Sequence, residues 1–235
     1  MIKRFLFCLL SKQLIMLRVF CLIILGIFMS ACTTMRDTLP DYVCIDDPEC
    51  VNRDVLKTPA KPVTFPLNAD MLLALDHIQQ KYDNEQNMAG LAAPQIGHPY
   101  QIIIFAVNDD PIIKHLRPDL TDTMPRTIWL NPSYEGIGAK DSEDMEGCFS
   151  IKNYVGKVKR YKKIRYEALT TDGVKVTGEA EGFLARVIQH EVDHIKGKMC
   201  LDDLTDEEKI DKQEYIRMRK LQTEEAERNA QKSAS

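Results

Sequence analysis

The pentapeptide His190-Glu191-Val192-Asp193-His194 carries the strongest chemical signal in the sequence. On a helix, positions i and i+4 share a face, so both imidazoles can reach one cation. Glu191 can lean over the same point as a general base. A catalytic site of this kind needs three protein ligands and one open position. The chain beyond His194 offers Glu207 and Glu208 but no further histidine. A better third ligand lies upstream, in Glu146-Gly147-Cys148-Phe149-Ser150. One thiolate with two imidazoles suits a borderline divalent cation such as Fe²⁺ or Zn²⁺, and coordination would hold Cys148 as the thiolate.

These groups need a frame. From Glu179 onward the pattern is helical, with Phe183, Leu184, Val187, Ile188 and Ile195 near one face and Gly197 placed to end the helix. Asn68 can cap an earlier helix carrying Met71, Leu75, Ile78 and Tyr82. Pro59, Pro62 and Pro66 mark extended chain before it. Gly90 to Gly97 reads as a loop, and Ile102–Val107 as a buried strand. Residues 108–125 are a polar excursion, and Thr127–Leu130 is a short strand stopped by Asn131-Pro132. Asp172-Gly173 between Ile164–Thr170 and Val174–Thr177 predicts a hairpin. Residues 205–232 are charged, with a sparse apolar stripe at Ile210, Tyr215, Met218 and Leu221, and predict a solvated terminal helix. Strands around one buried functional helix make an α+β domain.

Residues 19–29 are an uncharged apolar run preceded by Lys12 and Arg18. The run is shorter than the roughly 20 residues a membrane span needs and fits the core of a secretory signal. Met29-Ser30-Ala31-Cys32 follows it and resembles the lipobox of bacterial lipoproteins, which implies cleavage before Cys32 and lipid on that residue. The expected order is a signal peptide over 1–31, a tether over 32–50, a catalytic domain over 51–204 and a charged helix or tail over 205–235. A lipoprotein of this kind would face the periplasm of a Gram-negative bacterium; the alternative is a cytoplasmic protein. The net charge of -4 includes Lys3, Arg4, Lys12 and Arg18 and no acid within 1–31, so cleavage gives -4 - 4 = -8. A chain this acidic is repelled by a phosphate backbone, so no nucleic-acid partner is expected. The basic stretch Lys157–Lys163 reads as a solvated strand. Cys44 and Cys50 would form a small-loop disulfide in an oxidising compartment or stand as two free thiols.

Three segments carry a family resemblance. Gly90-Leu91-Ala92-Ala93-Pro94-Gln95-Ile96-Gly97, Glu146–Ser150 and Gln189–Gly197 are similar, in order and spacing, to the three motifs of peptide deformylases. The likeness extends over roughly residues 47–204. It implies that the fold is small antiparallel sheets packed around a central helix bearing the HExxH motif. It implies a divalent metal held by Cys148, His190 and His194, natively Fe²⁺, with Zn²⁺, Ni²⁺ or Co²⁺ able to substitute. The substrate would be an N-formylated peptide, hydrolysed to release formate. Glu191 would take a proton from water and deliver it to the departing amine. The Gln95 side chain and the Phe149 backbone N–H would meet the oxyanion. Gly90 and Leu91 would lie along the substrate, Gly90 allowing close backbone approach. Asp193 would orient a ligand or the helix.

The sequence also departs from the family. Met88 stands where the first motif usually opens with glycine, Met145 where an acid is common, Phe149 for leucine and Lys152 for proline. Val155 takes the place of an arginine that in many members contacts the peptide. His77, His98, His115 and Cys200 match no motif. Three other readings compete: a zincin peptidase, a lipid-anchored hydrolase of other N-acyl compounds, and a non-catalytic binding protein on the same fold.

Overall fold

The computed structural model describes residues 38–85 and 88–233. The leader, the lipobox and Cys32 lie outside the described residues. The main sheet holds β1 (Gly90–Ala92), β2 (Ile102–Val107), β3 (Met124–Ile137), β6 (Lys163–Leu169) and β7 (Lys175–Glu181), in the spatial order β1-β2-β3-β6-β7. A smaller sheet pairs β4 (Ser142–Glu146), β5 (Tyr154–Arg160) and β8 (Lys209–Asp211) in the order β4-β5-β8. Every one of these strand pairs is antiparallel. The helices are α1 (Ala69–Asn84), α2 (Pro111–Leu116), α3 (Gly182–Ile195) and α4 (Lys212–Ser233). This is the expected α+β architecture.

Strand alternation explains the packing. Side chains of β2 point alternately to the two faces of the sheet. Ile102 and Ile104 meet Met71, Leu75 and Ile78 of α1, whereas Ile103, Phe105 and Val107 meet Leu184, Ile188 and Val192 of α3. Helix α3 therefore sits on the sheet along a full apolar face. Gln189 holds it to the β5–β6 turn, accepting from the Tyr161 N–H at 3.0 Å and donating to the Tyr161 carbonyl at 2.8 Å. Asn68 caps α1 as expected, accepting from the Met71 N–H at 2.9 Å.

Five expectations need correction. The stretch from Gly90 is not all loop, because the exposed edge of β2 recruits Gly90–Ala92 as a strand. Asn131-Pro132 does not end a strand: β3 runs through it, with Asn131 at φ 50 and a register shift between Leu130 and Ser133. A bulge tolerates both a left-handed asparagine and a proline without an N–H. The Asn131 amide then clamps Val63, accepting from its N–H at 2.7 Å and donating to its carbonyl at 2.8 Å. The last core helix begins at Gly182, not Glu179, because β7 continues to Glu181 in register with Lys163. The terminal helix begins only at Lys212; Ile210 lies instead in β8, paired with Val155. The tether expected over 32–50 is, in its described part, packed chain: Val43 and Cys44 are buried, and the compact unit starts at Leu39.

Candidate metal and active site

Helix α3 presents His190 and His194 one turn apart, with their ring centroids 4.9 Å apart. The turn after β4 brings in Cys148, whose Sγ lies 3.3 Å from His194 Nε2. The ligand atoms of Cys148, His190 and His194 all lie within 4.8 Å of one another. The Cys148 sulfur also receives the Ser150 N–H and the Gln95 side-chain N–H, each at 3.3 Å. Burial raises the Cys148 pKa, but His194 and His190 together bring it well below the ordinary thiol value. Burial conversely lowers the His190 pKa, while Cys148, Cys200 and Glu146 hold it well above the ordinary imidazole value. Thiolate and two imidazoles thus converge as a borderline divalent cation requires, and the residues present fit such a metal.

A second group, Glu146, His190 and Cys200, is equally compact. It fits a metal less well. The Glu146 carboxylate is already engaged by Arg160, Arg186 and His190, and burial pushes the Cys200 thiol up to about 12.

Glu146 and Arg160 are the functional residues that sequence reasoning missed. Glu146 Oε2 lies 2.9 Å from His190 Nδ1, which leaves Nε2 of that ring to face Cys148. Arg160, 2% exposed, donates to both Glu146 oxygens at 2.9 Å and also pairs with Asp193. Arg186 adds a bond to Glu146 Oε1 at 2.8 Å and ties to the Ser142 carbonyl at 2.7 Å. Burial raises the Glu146 pKa, but Arg160 and His190 hold its carboxyl far below the usual carboxylate range. Asp193 therefore reaches His190 only through Arg160 and Glu146, while accepting from the Tyr134 hydroxyl at 3.1 Å. A carboxylate behind a metal-ligating histidine fixes its tautomer, which is the signal that could have singled out Glu146.

Glu191 is 4% exposed and its Oε2 has no protein partner among the described residues; the same holds for His194 Nδ1. Burial pushes the Glu191 carboxyl up to about 7, with His190 and His194 pulling the other way. Gly90 lies directly over it: a Cβ there would stand 2.5 Å from Glu191 Oε1, closer than atoms can pack. Gln95 sits in the short 3-10 turn Ala93–Ile96 and accepts from the Ala92 N–H at 2.8 Å through Oε1. That bond turns its amide NH₂ toward Cys148.

A cavity of about 210 Å³ opens beside these groups. Gly90, Gln95, Cys148, Phe149, His190 and Glu191 all line it, and His194 joins Cys148 and His190 in the ligand cluster beside it. Strand alternation buries the Leu91 side chain in the core opposite Ile104, which leaves its backbone as the part that can face a ligand. Val155 is buried under Gly147 and does not line the cavity. Two arginines line the cavity: Arg186, held on Glu146, and Arg117, which stacks 4.2 Å over the Phe183 ring and pairs with Asp119 and Asp144. His77 and His98 bond each other at 2.9 Å, apart from the metal ligands.

Comparison with known proteins agrees with this geometry. Residues 46–210 match the family model for polypeptide deformylase. Peptide deformylase 2 of Rickettsia conorii is 50% identical over 186 residues, covering 78% of this chain and 92% of that protein. Peptide deformylase 2 of Clostridium acetobutylicum is 35% identical over 153 residues, covering 65% and 91%. Among solved structures, a class I type b peptide deformylase from Acinetobacter baumannii with Met-Ala-Ser bound has a TM-score of 0.59 at 27% identity, covering 71% of this chain and 99% of that one. Peptide deformylase from Thermotoga maritima gives a TM-score of 0.55 at 27% identity, covering 72% and 99%. With the family model extending over the sheets, helix α3 and the thiolate–imidazole cluster, and a relative 50% identical over 186 residues, the chain belongs to the polypeptide deformylase family.

Proposed function

We propose that this chain removes the N-formyl group from N-formylmethionyl peptides, releasing formate, with Cys148, His190 and His194 holding the metal. The observation that carries the reading is Glu191: a buried carboxylate with an unpartnered oxygen, beside a cluster of one thiolate and two imidazoles. When bound there, a divalent cation supplies Lewis acidity, polarising a carbonyl and acidifying water. Fe²⁺ is the proposed ion, with Zn²⁺, Ni²⁺ or Co²⁺ as substitutes. Glu191, its carboxyl near 7, holds a proton at Oε2 between its removal from the attacking water and its delivery to the departing amine. Gln95, oriented by the Ala92 N–H, and the Phe149 backbone N–H donate to the developing oxyanion. The outer side of β1 lies at the edge of the main sheet, so Gly90–Ala92 offers backbone along which an extended peptide can lie.

Formate should appear from a formyl-methionyl peptide, while internal peptide bonds and the acetyl-methionyl analogue stay intact. Chromatography of the product mixture decides this. Internal cleavage would favour a zincin-type peptidase, and turnover of the acetyl analogue would favour a broader N-acyl hydrolase.

We further propose that residues 1–31 direct export and that Cys32 carries lipid, which places the catalytic domain on the periplasmic side of a membrane. The support is the apolar run 19–29 followed by Met29-Ser30-Ala31-Cys32. Among the described residues, no helix is long and apolar enough to cross a membrane. The substrates met there would be exported or scavenged formyl peptides. Metabolic labelling with a fatty acid should mark the membrane fraction of the wild type and not Cys32→Ala; an unlabelled soluble protein would refute the anchor.

A further inference from the structure

Residues 42–50 bridge the two loops that hold the proposed oxyanion donors. The Val43 N–H donates to the Gln95 carbonyl at 2.8 Å, and the Ile45 N–H to the Ser150 carbonyl at 2.9 Å. Tyr42 stacks on Phe149, centroids 5.0 Å apart and planes at 26°. The Asp46 carboxylate accepts from the Lys152 and Asn153 backbone N–H groups, each at 2.8 Å. One stretch of chain therefore sets Gln95 and the Cys148–Asn153 loop against each other.

Two cysteines sit within this clasp. Cys44 is at its centre, 3% exposed, between the bonds made by Val43 and Ile45. A turn closed by the Cys50 N–H on the Asp47 carbonyl at 3.1 Å brings Cys50 back beside it. The Cys44 N–H reaches Cys50 Sγ at 3.0 Å. Both thiols approach the same acceptor, the Tyr42 carbonyl oxygen, at 3.7 and 3.8 Å. Cys44 Sγ also lies 3.7 Å from the carbonyl oxygen of Phe149. The other two described cysteines are engaged elsewhere, Cys148 among the imidazoles and Cys200 beside Glu146 and His190.

We propose that Cys44 and Cys50 are a redox modification site, and that their disulfide closes the clasp and holds Gln95 and Phe149 in register. The step needs a disulfide co-reactant of the glutathione class. The half-buried Cys50, as thiolate, attacks one sulfur of oxidised glutathione and expels one glutathione thiolate. The Cys44 thiolate then attacks the mixed disulfide and expels the second. Two S–H bonds and the oxidant's S–S bond are lost; one protein S–S bond and two reduced glutathione molecules form. The cross-link stands on the clasp geometry alone, while its catalytic consequence rests on the deformylase reading above.

The test equilibrates the full-length, Zn²⁺-loaded chain with reduced and oxidised glutathione in varied ratio, alkylates free thiols, and digests with trypsin. Asp37–Arg53 contains both cysteines and no internal tryptic site. Under oxidising ratios this peptide should be two hydrogens lighter and unalkylated, with Cys148 and Cys200 still alkylated after denaturation. The oxidised form should release formate with kcat higher by about 3- to 10-fold and KM little changed, because oxyanion donors act in the transition state. The double variant Cys44→Ser, Cys50→Ser should keep the reduced-state rate at every ratio. Alkylation of both cysteines throughout, or a mixed disulfide on Cys148 instead, would overturn the cross-link. A cross-link without a kcat response would overturn the positioning role. Should no formate appear under any condition, the deformylase reading fails, and the peptide mass still decides the cross-link.

Discussion

Glu191→Ala should leave a folded, metal-loaded protein whose formate release falls by about 10²- to 10⁴-fold, the usual worth of a positioned general acid–base group. The loss should lie in kcat rather than KM, because Glu191 acts on the proton in flight and not on the peptide. Metal content should stay near the wild-type value, since the three ligand side chains are untouched. Stability should hold or rise: Glu191 is buried with one oxygen unpartnered, and removing such a group relieves a desolvation cost. Metal analysis, a melting curve and steady-state kinetics on one preparation check all three expectations. A rate within a few-fold of wild type would remove Glu191 from the mechanism.

Arg160→Met carries the second large effect, and it falls on the fold and the metal together. The change strips Glu146 of two bonds and Asp193 of its buried cation, while Arg186 and His190 remain on Glu146. Breaking a buried ionic network from one side costs about 3–5 kcal/mol. In a chain of this size that lowers the melting midpoint by roughly 10 °C. Metal affinity should also weaken, by about 10- to 100-fold, because Glu146 no longer holds His190 in one orientation. The pH dependence has a definite sign. The Glu146 carboxyl is depressed in the folded protein, so its contribution is fully present above its unfolded value of about 4.3 and is lost as pH falls through the folded one. Wild type should therefore lose stability steeply below about pH 4, whereas Arg160→Met, starting lower, should show a shallower acid slope. Melting curves between neutral and acid pH give both quantities.

The ligand set was legible because its chemistry is local. His190 and His194 are separated by one helical turn, and Cys148 lies inside a short motif. The group that orients the first ligand was not legible. Glu146 acts across 44 residues on His190 and across 14 on Arg160, and a glutamate at a strand end reads like any surface acid. Arg160 was hidden for a related reason. It belongs to a basic run whose lysines do point outward, as expected, while strand alternation turns Arg160 alone into the core. The corrections to the fold have the same origin. Gly90–Ala92 is too short to show a strand pattern and exists as one only because β2 offers an edge. Residues 38–50 carry too few apolar side chains to announce burial, and their contacts with Gln95 and Ser150 are made by residues far apart in sequence. Arg117, on the polar excursion after β2, had no motif to mark it as a cation of the cavity wall.

The most direct measurement is formate release from a formyl-methionyl peptide as Fe²⁺ is added stepwise, without oxygen, to chelator-stripped protein. The rate should rise in proportion to metal, reach a plateau at one equivalent per chain, and vanish again on chelation. Folded protein that takes up its equivalent of metal and releases no formate would contradict it, and so would a full rate from the stripped chain.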